Sequence, residues 1–118
     1  MAEVNTTMNY DEEEDILLLS RGRKVKASID VGDFIIDVDT SGFINGIEIL
    51  NSSQNLGLTE NQLKDLKQAS MNVSYKPNDV LITIAMQFGS TEKDIHIPLA
   101  VDLGHASVTS KKTNFAIA

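Results

Sequence analysis

"DVDTSGFINGIE", residues 37–48, spells two different structures, and the fold depends on which one forms. As a calcium loop it places Asp37, Asp39 and Ser41 at the first, third and fifth ligand positions, Gly42 at the sixth and Glu48 at the twelfth. As a β-hairpin it opens a type I turn at Asp39, with Thr40 and Ser41 in the centre and Gly42 in the left-handed position of a three-residue loop. The flanks favour the hairpin. A calcium loop needs a helix entering and another leaving, because the helices aim the ligands. Here "IDVGDFII" before Asp37 is β-branched and interrupted by Gly32, and "INGIEIL" after the loop contains Asn45-Gly46 and then alternates. Register stays open between two choices. A three-residue loop puts Phe34, Ile36 and Val38 on a face with Ile44, Gly46, Glu48 and Leu50; a two-residue loop pairs them with Phe43, Asn45, Ile47 and Ile49. Asn45-Gly46 lies too close to Gly42 to be a second turn and reads as a bulge.

Other segments alternate as strands do. "VKASIDV" (25–31) sends Val25, Ala27, Ile29 and Val31 one way, and "VLITIAMQF" (80–88) does the same with Val80, Ile82, Ile84, Met86 and Phe88. "IHIPLAV" (95–101) alternates too, but Pro98 cannot donate to a ladder and marks an edge strand or a bulge. "ILLL" (16–19) and "DFIIDVD" (33–39) complete an N-terminal strand set. One helix is expected, over about 60–69: Thr59 with Gln62 makes a capping box, Leu58 and Leu63 a hydrophobic staple, Leu63, Leu66 and Ala69 a narrow apolar stripe, and "NSSQNLG" before it the linking loop. "NYDEEEDILLL" (9–19) resembles "SYKPNDVLITI" (74–84), which suggests two similar hairpins on either side of the helix. The expected fold class is α+β: one domain over 1–118, with a mostly antiparallel, curved or two-layered sheet of about seven strands and one short helix. Within it, 8–54 is a β-meander, 59–69 the helix and 70–118 a second hairpin set.

Composition narrows the function classes. The chain is long enough for one core, and its lack of cysteine removes disulfides and thiolate metal sites, which suits a reducing cytoplasm. The N-terminal residues lack a basic region followed by an apolar run, so no export signal or membrane segment is expected. The sequons at Asn5, Asn51 and Asn72 then carry no weight. A net charge of −7 argues against nucleic acid as a general partner. The charge is also unevenly placed. "DEEED" (11–15) supplies five of the negative charges, while Arg21, Arg23, Lys24 and Lys26 gather four of the ten basic residues. In a meander, successive turns fall at alternate ends of the sheet, so the acidic turn and the basic turn lie at opposite ends. Glu12, Glu13, Glu14, Arg21, Arg23 and Lys24 are therefore the candidate partner-binding residues, for a protein partner or for head-to-tail self-association.

The order "NYDEEEDILLL", a basic turn, "VGDFIIDVDTSGFINGIEIL" and "NSSQ" resembles the small prokaryotic family known as domain of unknown function 2283. The resemblance covers about residues 8–54 and rests on Tyr10, Asp11, Asp15, Asp39, Gly42, Gly46, Ile47, Glu48 and Ile49. Gly-Ile-Glu-Ile-Leu is its most specific part. Asn51 and Ser52 stand where the family usually reads aspartate and alanine. The family's role is unassigned; members that look like partners of small toxins imply an antitoxin-like binding module.

Enzymatic signatures are sparse. No Gly-x-Ser-x-Gly elbow or glycine-rich phosphate loop occurs, and the basic turn lacks the interleaved aromatics of an RNA platform. His96 and Asp94 share the polar face of a strand, which is two ligands and not a site; His105 is the other histidine. The expected function is thus a non-enzymatic protein-interaction module of the cytoplasm that forms a homodimer or other homo-oligomer and acts, through its acidic turn, as an antitoxin-like partner of a small basic protein. No cofactor is expected. The alternatives are a metal-binding protein, with calcium at Asp37, Asp39, Ser41 and Glu48 or a transition metal near His96, and an enzyme whose site has no recognisable motif.

Overall fold

A computed structural model describes residues 5–116, and within them the chain forms two antiparallel sheets and two short helices. The strands are β1 (Thr7–Asp11), β2 (Ile16–Ser20), β3 (Val25–Val31), β4 (Phe34–Asp39), β5 (Ile44–Ile49), β6 (Leu66–Lys76), β7 (Asp79–Phe88), β8 (Thr91–Leu99) and β9 (Thr109–Ala116). The helices α1 (Ser52–Leu56) and α2 (Glu60–Lys64) lie between β5 and β6. The first sheet runs β1-β2-β5-β4-β3 and the second β8-β7-β6-β9. Nine strands in two layers replace the expected seven.

The hairpin at 37–48 forms, and a bulge reconciles the two registers. Asp39 N–H donates to Phe43 O over 2.8 Å, Gly42 N–H returns to Asp39 O over 3.1 Å, and Gly42 is left-handed at φ 81°. At the tip Val38 faces Ile44, as the three-residue loop requires. Beyond it the ladder shifts by one residue at Asn45, so that Asp37 meets Gly46, Ile36 meets Ile47 and Phe34 meets Ile49. The extra residue therefore turns both Ile44 and Ile47 inward, where a regular strand would expose one of them. Position 46 must be glycine for a separate reason: a Cβ there would sit 2.2 Å from the Leu19 carbonyl oxygen of β2.

The meander expected over 8–54 is interrupted. β3, β4 and β5 follow one another, but β5 inserts beside β2, so the β2–β3 connection crosses the end of the sheet instead of making a hairpin. Covering the apolar faces explains this order, since Leu19 then pairs with Ile47 and Leu17 with Ile49. Acidic and basic turns still fall at opposite ends, because β2 runs between them.

The helix stops earlier than its apolar spacing suggested. The capping box forms as expected, with Gln62 N–H donating to Thr59 Oγ1 and Thr59 N–H to Gln62 Oε1, yet α2 ends at Lys64. Leu66 and Ala69 belong to β6, where strand pairing with β7 wins over helical spacing that isolated propensity cannot defend in so short a segment. "NSSQNLG" is likewise not only a loop, since it contains α1. Leu56, Leu58 and Leu63 from this region are buried and join the core at the acidic end. β8 lies at an edge, as Pro98 required, and the "NFAIA" segment enters this chain's own sheet, with Phe115 paired to Ala69 of β6; its last two residues lie outside the described ones.

The core is continuous between the sheets. Leu17, Leu19, Ile36, Ile47 and Ile49 of the first and Met71, Val73, Ile82 and Ile84 of the second are at most 2% exposed. Tyr75 of β6 crosses this interface: its hydroxyl accepts the Ile44 N–H at 2.8 Å, and its ring meets Phe43 edge-on with centroids 5.3 Å apart. Burial raises the phenol's pKa, so the hydroxyl stays neutral in this role.

A polar knot ties the acidic turn to α1. Asp15, left-handed at φ 56°, accepts from Tyr10 Oη–H at 2.6 Å, Ser53 Oγ–H at 2.7 Å and Ser53 N–H at 3.2 Å. Its carbonyl accepts the Ser52 N–H, and Ser52 Oγ in turn accepts Leu17 N–H and donates to Ile49 O. Burial acts to raise the Asp15 carboxyl, but the three donated hydrogen bonds outweigh it and hold the pKa below its ordinary 3.8.

Two outcomes are expected from this architecture. Tyr75→Phe leaves the buried Ile44 N–H without an acceptor and should cost about 1–3 kcal/mol, read as a lower urea midpoint at unchanged slope. Asp15 has a lowered folded pKa, so its contribution is complete above its unfolded value and is lost as pH falls through the folded one. Wild type should therefore lose stability on acidification below about pH 4, while Asp15→Asn, less stable at neutral pH, should lose less over the same acid range; parallel urea titrations at several pH values check this.

Candidate interaction surface

The outer face of the second sheet is a regular grid because strand alternation sends every second residue to solvent. Its rows, from β9 through β6 and β7 to β8, are Ala116-Gln68-Gln87-Glu92, then Asn114-Ser70-Ala85-Asp94. Next come Lys112-Asn72-Thr83-His96 and Ser110-Ser74-Leu81-Pro98. On the two central strands all eight of these positions are uncharged, in a chain that is 23% charged. Charge borders these four rows, with Lys112 on β9, Glu92 and Asp94 on β8, and Lys76 opposite Asp79 in the next row of the central strands.

Side-chain size shapes this face. Ser70 and Ala85 are small and sit between Gln68, Gln87, Asp94 and Lys112, so a shallow trough of about 470 Å³ opens above them. Gln68 Nε2 donates to Gln87 Oε1 at 2.8 Å, which fixes one wall. At the far end Leu81 is 43% exposed beside Pro98. Interfaces are depleted of charge at their centre and polar at their rim, and this face has that distribution. Sequence reasoning read the alternation of β7 but placed the partner site on the charged turns; the uncharged centre becomes visible only once β6 lies beside β7.

The turns predicted for partner binding are placed as follows. Glu12, Glu13 and Glu14 are exposed in the β1–β2 turn, and Glu12 lies 3.4 Å from Lys64 of α2. Arg23 and Lys24 are exposed in the β2–β3 connection, and Arg21 is largely covered there, 3.9 Å from Asp39. The two groups are not brought together.

The calcium letters are dispersed by the hairpin. Asp37 accepts from Ser28 Oγ–H at 2.7 Å on the neighbouring strand β3, and Asp39 accepts the Ser41 and Phe43 amides of its own turn at 2.8 and 3.0 Å. Glu48 faces Ile35 and Leu18 along the ladder. Among the described residues no three His, Cys, Asp or Glu side chains gather as metal ligands. His96 Nδ1 lies 3.2 Å from Thr83 Oγ1 across the β7–β8 pair, and His105 packs beside Phe43 and Tyr75 with Nε2 2.8 Å from Gly42 O.

No helix among the described residues is long and apolar enough to cross a membrane. An uncharacterised protein of Methanocaldococcus jannaschii is 46% identical over 48 residues, 40% of this chain and 41% of that protein. A protein of Methanosarcina mazei provisionally named hypoxanthine phosphoribosyltransferase is 27% identical over 89 residues, 75% of this chain and 72% of that protein. No solved structure matches the chain significantly. The family described as protein of unknown function, DUF2283, matches residues 7–53, and it is this family's segment that builds β1 to β5 and the start of α1.

Proposed function

We propose that this chain is a non-enzymatic protein-interaction module of the prokaryotic cytoplasm that docks its partner on the outer face of β6 to β9. The observation that carries the reading is the uncharged centre of that face. Exposed charge opposes association, and here the two central strands have none over four rows before Lys76 and Asp79. The trough above Ser70 and Ala85 would seat a convex segment, with Leu81 and Pro98 supplying apolar contact at one end. The exposed Glu12, Glu13 and Glu14 would favour a small basic partner and speed its encounter, in keeping with the antitoxin-like role that the family resemblance implies. A second copy of the chain is the other partner consistent with this face.

The name of the Methanosarcina mazei relative raises a transferase reading for this chain too. Phosphate-handling loops of that kind commonly open a helix after a parallel strand. Among the described residues all strand pairs are antiparallel and both helices have five residues, so the binding reading is preferred.

Ser70→Lys with Ala85→Lys should abolish retention of the partner that the wild-type protein captures from a prokaryotic lysate, with the thermal unfolding temperature little changed. Unaltered retention would remove the docking face from the account. Replacing Glu12, Glu13 and Glu14 with serine should weaken capture at low salt and have little effect at high salt, where exposed charges are screened. Self-association is checked by light scattering: a mass that stays at 12.9 kDa over a wide concentration range excludes the second-copy partner.

A further inference from the structure

The end of the sandwich away from the helices holds a second feature that the docking face does not use. Arg21, Arg23 and Lys24 of the β2–β3 connection converge with Lys111 of β9 on a cavity of about 390 Å³ that Thr40 and Ser41 also line. Among the described residues Asp39 is the one carboxylate in the lining, beside four cations, in a protein whose net charge is −7. Neighbouring like charges oppose this arrangement, and the fold holds it together nonetheless.

What holds it is the bulge in β5. Asn45, its extra residue, is 2% exposed; its side-chain oxygen accepts the Arg23 N–H at 2.8 Å and its carbonyl accepts the Arg21 N–H at 2.8 Å. The basic connection is thereby fixed over the Asp39–Phe43 turn. Lys111 is fixed from the other side, its Nζ 3.8 Å from the centre of the Phe43 ring. Asp39 is committed elsewhere: Oδ1 accepts two amides of its own turn and Oδ2 lies 3.9 Å from Arg21. Among the described residues Arg23 and Lys24 meet no carboxylate within 4.0 Å.

We infer that this basic cleft binds a phosphate-monoester dianion. A single planar carboxylate would be satisfied by one arginine fork, whereas the cleft offers a fork at Arg23, compact ammonium groups at Lys24 and Lys111, and hydroxyl donors at Thr40 and Ser41. Donors of that variety suit a tetrahedral group with several oxygens and two charges. The volume falls within the range of small-molecule sites, so a modest organic remainder also fits. The phosphate group is common to a small metabolite and to a phosphorylated side chain.

Calorimetric titration and thermal unfolding with inorganic phosphate, a nucleoside 5′-monophosphate and phosphoserine, all at one ionic strength set with chloride, test the inference. Stabilisation should rise with phosphate concentration beyond the chloride control. The exposed pair Arg23→Glu and Lys24→Glu should weaken binding at least about tenfold, by loss of two charge-assisted contacts. Replacing Glu12, Glu13 and Glu14 with serine should leave it unchanged. Tighter binding of the nucleotide assigns the site to a small molecule, tighter binding of phosphoserine to a phosphorylated protein, and equal binding to the phosphate group alone. No effect beyond chloride, or an equal effect in the charge-reversed variant, would overturn the proposal.

Discussion

Two sheets that each have one apolar face must cover one another, and the hydrogen bond from Ile44 N–H to the Tyr75 hydroxyl fixes where they meet. Burial itself is non-directional and would tolerate sliding. A buried amide that takes its acceptor from the other sheet is not so tolerant, because sliding would separate the pair. The T-shaped contact of Phe43 with Tyr75 acts at the same place, and His105 packs against both rings. Bulge, turn and sheet-to-sheet alignment are therefore set together around residues 39–45.

In this chain the matched segment does not cover its own apolar face. Residues 7–53 provide the first sheet, but its inner positions Leu17, Leu19, Ile36, Ile47 and Ile49 are covered by β6 to β9, which lie outside the match. Most of the residues that carry the resemblance have structural tasks here. Tyr10 and Asp15 tie the acidic turn to α1, Asp39 and Gly42 make the hairpin turn, Gly46 lets β5 approach β2, and Ile47 and Ile49 fill the core. Ser52, where the family usually has alanine, adds hydrogen bonds of its own from Leu17 and to Ile49. The shared pattern thus describes how the first sheet is built, and the outer face of the second sheet belongs to the other half.

The fold also keeps its surface features apart. Helices and the acidic turn close one end of the sandwich, the basic cleft occupies the other, and the trough over Ser70 and Ala85 lies across the second sheet between them. Lys111 and Lys112 show how finely alternation divides these roles: consecutive residues of one strand, the first reaches over Phe43 at the cleft and the second stands at the rim of the outer face. A one-residue slip of β9 would exchange them.

Local chemistry was sufficient for what depends on neighbours in the chain. The Asp39–Gly42 turn, the bulge at Asn45-Gly46, the Thr59–Gln62 capping box and the edge position of Pro98 are all legible because each follows from a few adjacent residues. The helical spacing of Leu63, Leu66 and Ala69 misled for the same reason: it described a local preference that pairing with β7 overrode after Lys64. The insertion of β5 beside β2, the joining of Arg23, Lys24 and Lys111 in one cleft, and the trough over Ser70 and Ala85 were decided only in three dimensions. Each depends on partners 15 to 88 positions apart, and no local propensity encodes which distant strand an exposed edge will meet.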